Sequence, residues 1–453
     1  MKFTLDRSTW KPLLVSLSLW LAGCGASGED ADRPITIVYW TRSWWGDPAQ
    51  YQGDEPLPVT QWQREQIRRF EAEHPGVRVD LQIDPGGSGD KIRLAFAGGV
   101  PPDVFHGSPD TEFVTWAALG LLEPIDDYLT EADRADIYPG ALQACAYAGK
   151  HYAWPLYAHA LGVIINRDLF RQQGLEDRIP QPGEHWTMAE FEDLARRLTI
   201  DRDGDGRPEV YGVGLHALDD NHVFLTTYLI NHGAQVFSRD GRFALDDPVG
   251  VAGLEFLRRL VDEGVATPGA AGYKYDDVRR LFVEQRVAMY LTSAGTLIWA
   301  QDQARKETVT PFDWALVSVP SVPGVEPTTY LTVGTVLVSR QNDPAKRDAC
   351  MALARYLTGP RVNHYFWRVA SPRRSGPLPQ EAYLVAMRQQ MERAQNFMLP
   401  PRPFEDRFDL SQEMVRLYQD VLSVPPKWSP ARALRELGER VRRAMPQVEA
   451  AGP

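Results

Sequence analysis

Only three cysteines stand in 453 residues, and Cys24, Cys145 and Cys350 lie far apart. That spacing excludes a Cys-x-x-Cys redox or zinc motif. No stretch stays apolar over the about 20 residues that a membrane-spanning helix requires. Net charge is −11 with no basic stripe, a poor match to nucleic acid. The arginines from Arg440 to Arg443 lie on a helical pattern and read as a solvated face. Catalytic signatures are missing too: there is no His-Glu-x-x-His and no Gly-x-Ser-x-Gly. Gly86-Gly-Ser-Gly89 lacks the Lys-Ser/Thr ending of a phosphate loop. Acidic pairs such as Asp126-Asp127, Asp219-Asp220 and Asp246-Asp247 are expected to be surface in so acidic a chain.

The first residues are more specific. Lys2, Arg7 and Lys11 give a positive start, and Leu13 to Leu21 is an apolar run broken only by serines. Leu21-Ala-Gly-Cys24 follows. These are the parts of a secretory signal, too short to span a bilayer. The last four residues look like a bacterial lipobox, in which the cysteine is acylated and becomes the new N-terminus. A plain signal peptide with a chance cysteine is the alternative. The lipobox reading makes residues 1–23 a leader and 24–33 a tether. The body would then sit outside the cytoplasmic membrane, held by lipid. In that oxidising compartment Cys145 and Cys350 are either a disulfide or two buried thiols.

The mature chain alternates strand and helix signals. Ile35 to Trp40 is a β-branched run, Gln61 to His74 has helical spacing, and Val77 to Ile83 alternates as a strand. Asp103 to His106 predicts a strand and Glu112 to Leu119 a helix. Gly149 to Pro155 reads as a hairpin. Thr187 with Glu190 three residues on is a capping box opening a helix to Leu198. Strands follow at Val210 to Leu215, Val287 to Leu291, Trp314 to Val319 and Tyr330 to Ser339. From Ala345 onward the pattern is helical with interruptions. Such alternation argues for α/β architecture, a mostly parallel sheet with helices on both faces.

Taken in order, several segments resemble extracellular solute-binding proteins of family 1, the maltose-binding-protein-like components of ABC importers. They are Gly98-Gly-Val-Pro-Pro-Asp-Val104, Gly120-Leu-Leu-Glu-Pro-Ile-Asp-Asp-Tyr128, Gly149-Lys-His-Tyr-Ala-Trp-Pro155, Gly162-Val-Ile-Ile-Asn-Arg-Asp-Leu-Phe170, His185-Trp-Thr-Met-Ala-Glu-Phe191 and Phe282-Val-Glu-Gln-Arg-Val-Ala-Met289. Gln285 replaces a glycine frequent in that family. The resemblance implies a two-lobe periplasmic-binding-protein type II fold, each lobe a mixed sheet flanked by helices, with a ligand cleft between lobes. It implies a first lobe of residues 34–158 plus about 336–368, and a second of 159–333 plus about 370–453. Chain crossings are expected near Tyr157 to Leu161, Thr332 to Val336 and Phe366 to Arg374.

A sugar offers hydroxyls and flat apolar faces, which polar side chains and aromatic planes can answer. In the loop after the first strand, Arg42, Trp44 and Trp45 combine both kinds, with packing of either ring as the alternative. The resemblance adds Asp110 after the Asp103 strand, and Tyr157 and His159 at the first crossing. It further adds Asp220 and Asn221, which helix capping explains equally well. Ser293 and Gly295 open a helix whose free N–H groups could meet a ligand oxygen. Trp299 is the nearest counterpart of a displaced family tryptophan, and Phe408 maps to a late aromatic position.

One loop stands apart. Asp201, Asp203 and Asp205 with Gly206 match the start of a calcium loop, Arg207 and Glu209 fall at later ligand positions, and Gly212 stands where the bidentate glutamate belongs. A solvated Asx-type turn is the favoured reading, with a structural calcium ion as the alternative; no cofactor is required. The functional expectation is a monomeric, non-enzymatic receptor that passes a sugar to permease subunits. A lipoprotein glycoside hydrolase, or a receptor for a polyamine or organic acid, is the alternative.

Overall fold

The computed structural model describes residues 33–42, 59–84, 89–109, 111–218, 222–293, 296, 299–300, 303–304, 306–359, 371–376, 382–404 and 408–445. Strand β1 (Ile35–Arg42), helix α1 (Val59–Glu73) and strand β2 (Val77–Asp84) come first. They are followed by α2 (Gly89–Ala97), β3 (Val104–Gly107) and α3 (Thr111–Ala118). Two short helices, α4 (Glu131–Asp136) and α5 (Pro139–Ala144), precede a hairpin of β4 (Ala146–Tyr147) and β5 (Lys150–His151). Then come β6 (Ala153–Ala160), β7 (Gly162–Asn166), α6 (Arg167–Gln172), α7 (Met188–Arg197), β8 (Tyr211–Gly214), α8 (Val223–Ile230), α9 (Pro248–Asp262), α10 (Tyr275–Val283) and β9 (Val287–Thr292). The remainder holds β10 (Trp314–Val317), β11 (Leu331–Val338), α11 (Pro344–Leu357), α12 (Ala382–Gln390), α13 (Leu410–Leu422) and α14 (Pro430–Ala444). Among the described residues no helix is long and apolar enough to cross a membrane.

Two sheets carry the fold. The first runs β2-β1-β3-β11-β6, the second β10-β7-β9-β8. Both are mixed. β1 is parallel to β2 and β3, whereas β11 is antiparallel to β3 and β6. In the second sheet only β8 and β9 are parallel. Helices α1 and α2 make the parallel crossovers that β1, β2 and β3 require.

Strand periodicity divides the apolar core. In the second sheet Val163, Ile165, Met289 and Leu291 pack with Phe191, Tyr228, Phe256, Leu417 and Tyr418. Their neighbours Ile164, Tyr290 and Leu316 point the other way, into the cluster that also holds Ile37, Phe105, Trp154 and Val336 of the first sheet. Local signals set several element ends. Thr187 and Glu190 form the expected capping box, with Thr187 Oγ1 accepting from Glu190 N at 3.2 Å and Glu190 Oε2 accepting from Thr187 N at 2.8 Å. Ala148 and Gly149 both take positive φ (48° and 79°) in the β4–β5 turn, the geometry a tight hairpin needs. The hairpin is shorter and earlier than expected, because Ala153 to Pro155 already belong to β6.

Among the described residues the chain passes between the sheets at three places. Ala160 ends β6 in the first sheet, and Gly162 begins β7 in the second. Tyr330 packs with the second core, and Leu331 begins β11 in the first. Ala394 packs in the first core and Phe397 with the second. Two expectations are corrected here. All of β11 pairs with β3 and β6, so Thr332 to Val336 lie inside the first sheet, past the crossing. The third crossing falls at Gln395–Asn396, not at Phe366 to Arg374. Residues 371–374 instead dock on α4, where Arg373 Nη1 meets Asp133 Oδ1 at 2.9 Å and Arg374 N donates to Asp136 O at 2.8 Å. The stretch 366–370 lies outside the described residues. The lobe limits move with these crossings: β6 keeps 159–160 with the first sheet, and residues 371–376 and 382–394 belong with it too.

Cys145 and Cys350 are free and buried. Burial raises both thiols, that of Cys350 to about 12, so neither carries much thiolate.

Candidate ligand cleft

In open α/β sheets a ligand sits beyond the carboxyl ends of the strands. Here β1 ends at Arg42, β3 at Gly107 and β6 at Ala160, all on one edge of the first sheet, because β11 runs antiparallel to β3 and β6. In the second sheet the parallel pair β8 and β9 ends at Gly214 and Thr292.

Tyr157 and His159 lie on β6 near its carboxyl end. Tyr157 pairs with Gly334 of β11, and a Cβ at 334 would overlap the tyrosine ring. Glycine is therefore what seats that ring. Two imidazoles stand near it, nearly parallel to its plane: His106 at 6.4 Å between centroids and His159 at 6.1 Å. All three are buried. Desolvation lowers the His159 pKa to about 4, so its ring is neutral near pH 7.

The second sheet contributes hydroxyls. Tyr275 at the start of α10 meets Thr296 Oγ1 at 2.5 Å, and Thr292 Oγ1 donates to Tyr275 OH at 3.2 Å. Thr292 and Thr296 hydroxyls lie 2.7 Å apart, and Ser293 Oγ stands 3.5 Å from Tyr275 OH. His216, just past β8, is packed edge-on by Phe224, Tyr275 and Tyr290. Trp299 has the Arg279 guanidinium over its ring at 4.3 Å.

Of the residues expected from sequence, Tyr157, His159, Ser293 and Trp299 fall on these elements. Arg42 closes β1 opposite Asp84 of β2. Phe408 packs on Phe404 at 4.8 Å beside the second core. Trp44, Trp45, Asp110, Asp220, Asn221 and Gly295 lie outside the described residues, as does Cys24. Sequence reading passed over Tyr275, Thr292 and Thr296. The hydroxyls at 292 and 296, one helical turn apart across the end of β9, were the available signal. His106 and His216 gave none, because only the sheet register sets them beside other rings.

In the acidic loop, carboxylate oxygens of Asp201, Asp203 and Glu209 come within 4.8 Å of one another. Asp205 is not among them; its Oδ1 accepts from Arg207 N at 2.7 Å. Asp201 also accepts from Gly204 N at 2.8 Å and Gly206 N at 2.9 Å, and Glu209 from Arg202 N at 2.7 Å. Backbone N–H groups thus already close this loop. The three acids present the oxygen donors that calcium prefers, without the full ligand number it takes.

A separate groove of 1070 Å³ runs along β10, bordered by Glu176, Trp314, Thr328 and Gln390. None of the expected contact residues lines it.

Comparison with known proteins matches this architecture. The family model for bacterial extracellular solute-binding proteins fits residues 54–364. A lipoprotein of Streptomyces antibioticus, itself uncharacterized, is 29% identical over 257 residues, covering 56% of this chain and 51% of that protein. The solved structure of the sugar-binding protein MalE from Xanthomonas citri superimposes with a TM-score of 0.71 at 21% identity, over 90% of this chain and 97% of that one. An ABC transporter solute-binding protein of Thermotoga lettingae, bound to α-D-tagatose, gives 0.66 at 21% identity, over 90% and 99%. The two-lobe fold and the span of the family match agree: this chain belongs to the bacterial extracellular solute-binding protein family.

Proposed function

We propose that the protein captures a sugar, either an oligosaccharide or a sugar derivative, outside the cytoplasm and delivers it to the permease of an ABC importer. One observation carries the reading: a ring ladder at the carboxyl edge of one sheet and a hydroxyl cluster at that of the other. Aromatic planes suit the C–H faces of a sugar, and hydroxyls suit its own hydroxyls. The sugar-binding and tagatose-bound relatives support the same ligand class. Binding works by population shift. A ligand that touches both lobes only when they close favours the closed form by its differential affinity.

Thermal denaturation with maltotriose, maltotetraose and tagatose tests the proposal. A bound sugar raises Tm in proportion to ln(1 + [L]/Kd). No shift with any sugar, together with a shift from spermidine or citrate, would overturn it. Reducing-sugar release measured on the same panel addresses catalysis, and turnover would replace the receptor with a glycosidase.

In this reading Cys24 carries the lipid, the body is monomeric, and the permease is the partner. The Leu21-Ala-Gly-Cys24 motif and the lipoprotein relative support the anchor. Palmitate labelling that survives Cys24→Ser would remove it. The acidic loop is a structural calcium site in the same proposal. Calcium should raise Tm over a chelator control, and Asp201→Ala should abolish that rise.

A further inference from the structure

We propose that Asn396 is a positioning residue that ties the cleft loop after β3 to the hinge, so that the loop and the angle between lobes move together. The inference extends the two-lobe capture reading above. Asn396 sits in the third crossing and is buried. Its Nδ2 donates to the carbonyl of Pro109 at 3.3 Å, and its Oδ1 accepts from Met398 N at 3.2 Å. Pro109 follows β3 and directly precedes Asp110, the acid expected to meet a ligand. One side chain thus joins the loop of the first lobe to chain entering the second.

The neighbouring bonds make the attachment stiff. Gln395 accepts from Leu331 N at 2.9 Å and donates to Thr329 O at 3.0 Å, which joins the second and third crossings as a parallel pair. Thr328 Oγ1 donates to Arg393 O at 2.6 Å. On the second lobe, Asn231 caps α8 and is fully buried. Its Nδ2 donates to Thr328 O at 2.7 Å and its Oδ1 accepts from Thr328 N at 3.0 Å. A continuous path therefore runs from Pro109 through Asn396, Gln395 and Thr329 to Thr328 and Asn231. Two buried amides thus hold the paired ribbon, Asn231 at the C-terminal end of α8 on its second-lobe side and Asn396 toward the loop after β3 on its first-lobe side. Buried amides hold such positions because leaving their partners unmade is costly.

The test measures the distance between lobes without ligand. Spin labels at Asp127→Cys and Glu255→Cys, exposed positions beside the first and second cores, report it in a Cys24→Ser background. Cys145 and Cys350 are buried and stay unlabelled. Asn396→Asp keeps an acceptor for Met398 N but sets a carboxylate against the Pro109 carbonyl; Asn396→Ser shortens the side chain and loses the bond if the aspartate fails to fold. Either should shift or broaden the interlobe distance distribution. Each should also weaken maltotriose binding by about tenfold, the equivalent of one hydrogen bond. Asp343→Ala, which removes the cap of α11 beyond the end of β11 away from the crossings, should leave both unchanged. A folded Asn396→Ser with the wild-type distance distribution overturns the proposal. Wild-type protein that ignores maltotriose counts against that ligand alone, and the ligand-free distances still decide the role of Asn396.

Discussion

His159 and Gly334 show what single residues set at the carboxyl end of β6. The lowered His159 pKa has a consequence for stability. The unfolded imidazole takes a proton near pH 6.5, and the folded one only near pH 4. The unfolded state therefore binds more protons in that window, and stability falls as pH drops through it. The loss reaches at most about 3 kcal/mol by pH 4. Urea titrations between pH 7 and 4 should show it, and His159→Gln should flatten that part of the profile. Gly334 matters through space alone. Gly334→Ala drives a methyl into the Tyr157 ring, which overpacking data put at about 1–3 kcal/mol. The urea midpoint reads that cost. Neither effect was legible in the sequence, since glycine 334 meets tyrosine 157 only through the β6–β11 register.

At the scale of elements, local chemistry was more readable. Thr187 and Glu190 announce α7, and the structure has both halves of the box. Thr187→Ala should cost about 1 kcal/mol, measured by chemical denaturation. Strand β1 was plain from its β-branched run, and β9 from Val287 to Leu291. By contrast α4 and α5 went unread. They are six residues each, too short for a helical period to show. Their anchor is tertiary: Asp133 of α4 is buried between Arg373 and Arg355, at 2.9 and 2.8 Å. Burial disfavours the Asp133 charge, yet bonds from Thr130 and Arg373 outweigh it and hold the carboxyl below its ordinary range.

That ion pair belongs equally to the whole molecule, because it fixes residues 371–374 to the first lobe. Arg373→Met should destabilise clearly, but by less than the about 3–5 kcal/mol of a fully orphaned buried charge, since Arg355 still reaches Asp133. Thermal unfolding followed by calorimetry would measure it, with separate transitions expected if the two cores melt apart. The groove along β10 is lined by none of the ring-ladder or hydroxyl residues.

By itself the sequence determined what depends on neighbours along the chain: the strand–helix alternation, the caps, and hence an α/β architecture, while the two-lobe form came from the ordered family resemblance. The alternation and the caps are short-range signals written in periods of two and 3.6. Tertiary structure alone decided where the chain crosses between lobes, which rings stand beside Tyr157, and that Asn396 reaches Pro109. Those depend on pairings between residues far apart in sequence, such as Gln395 with Tyr330 and Gly334 with Tyr157, and no local pattern encodes a partner at that distance.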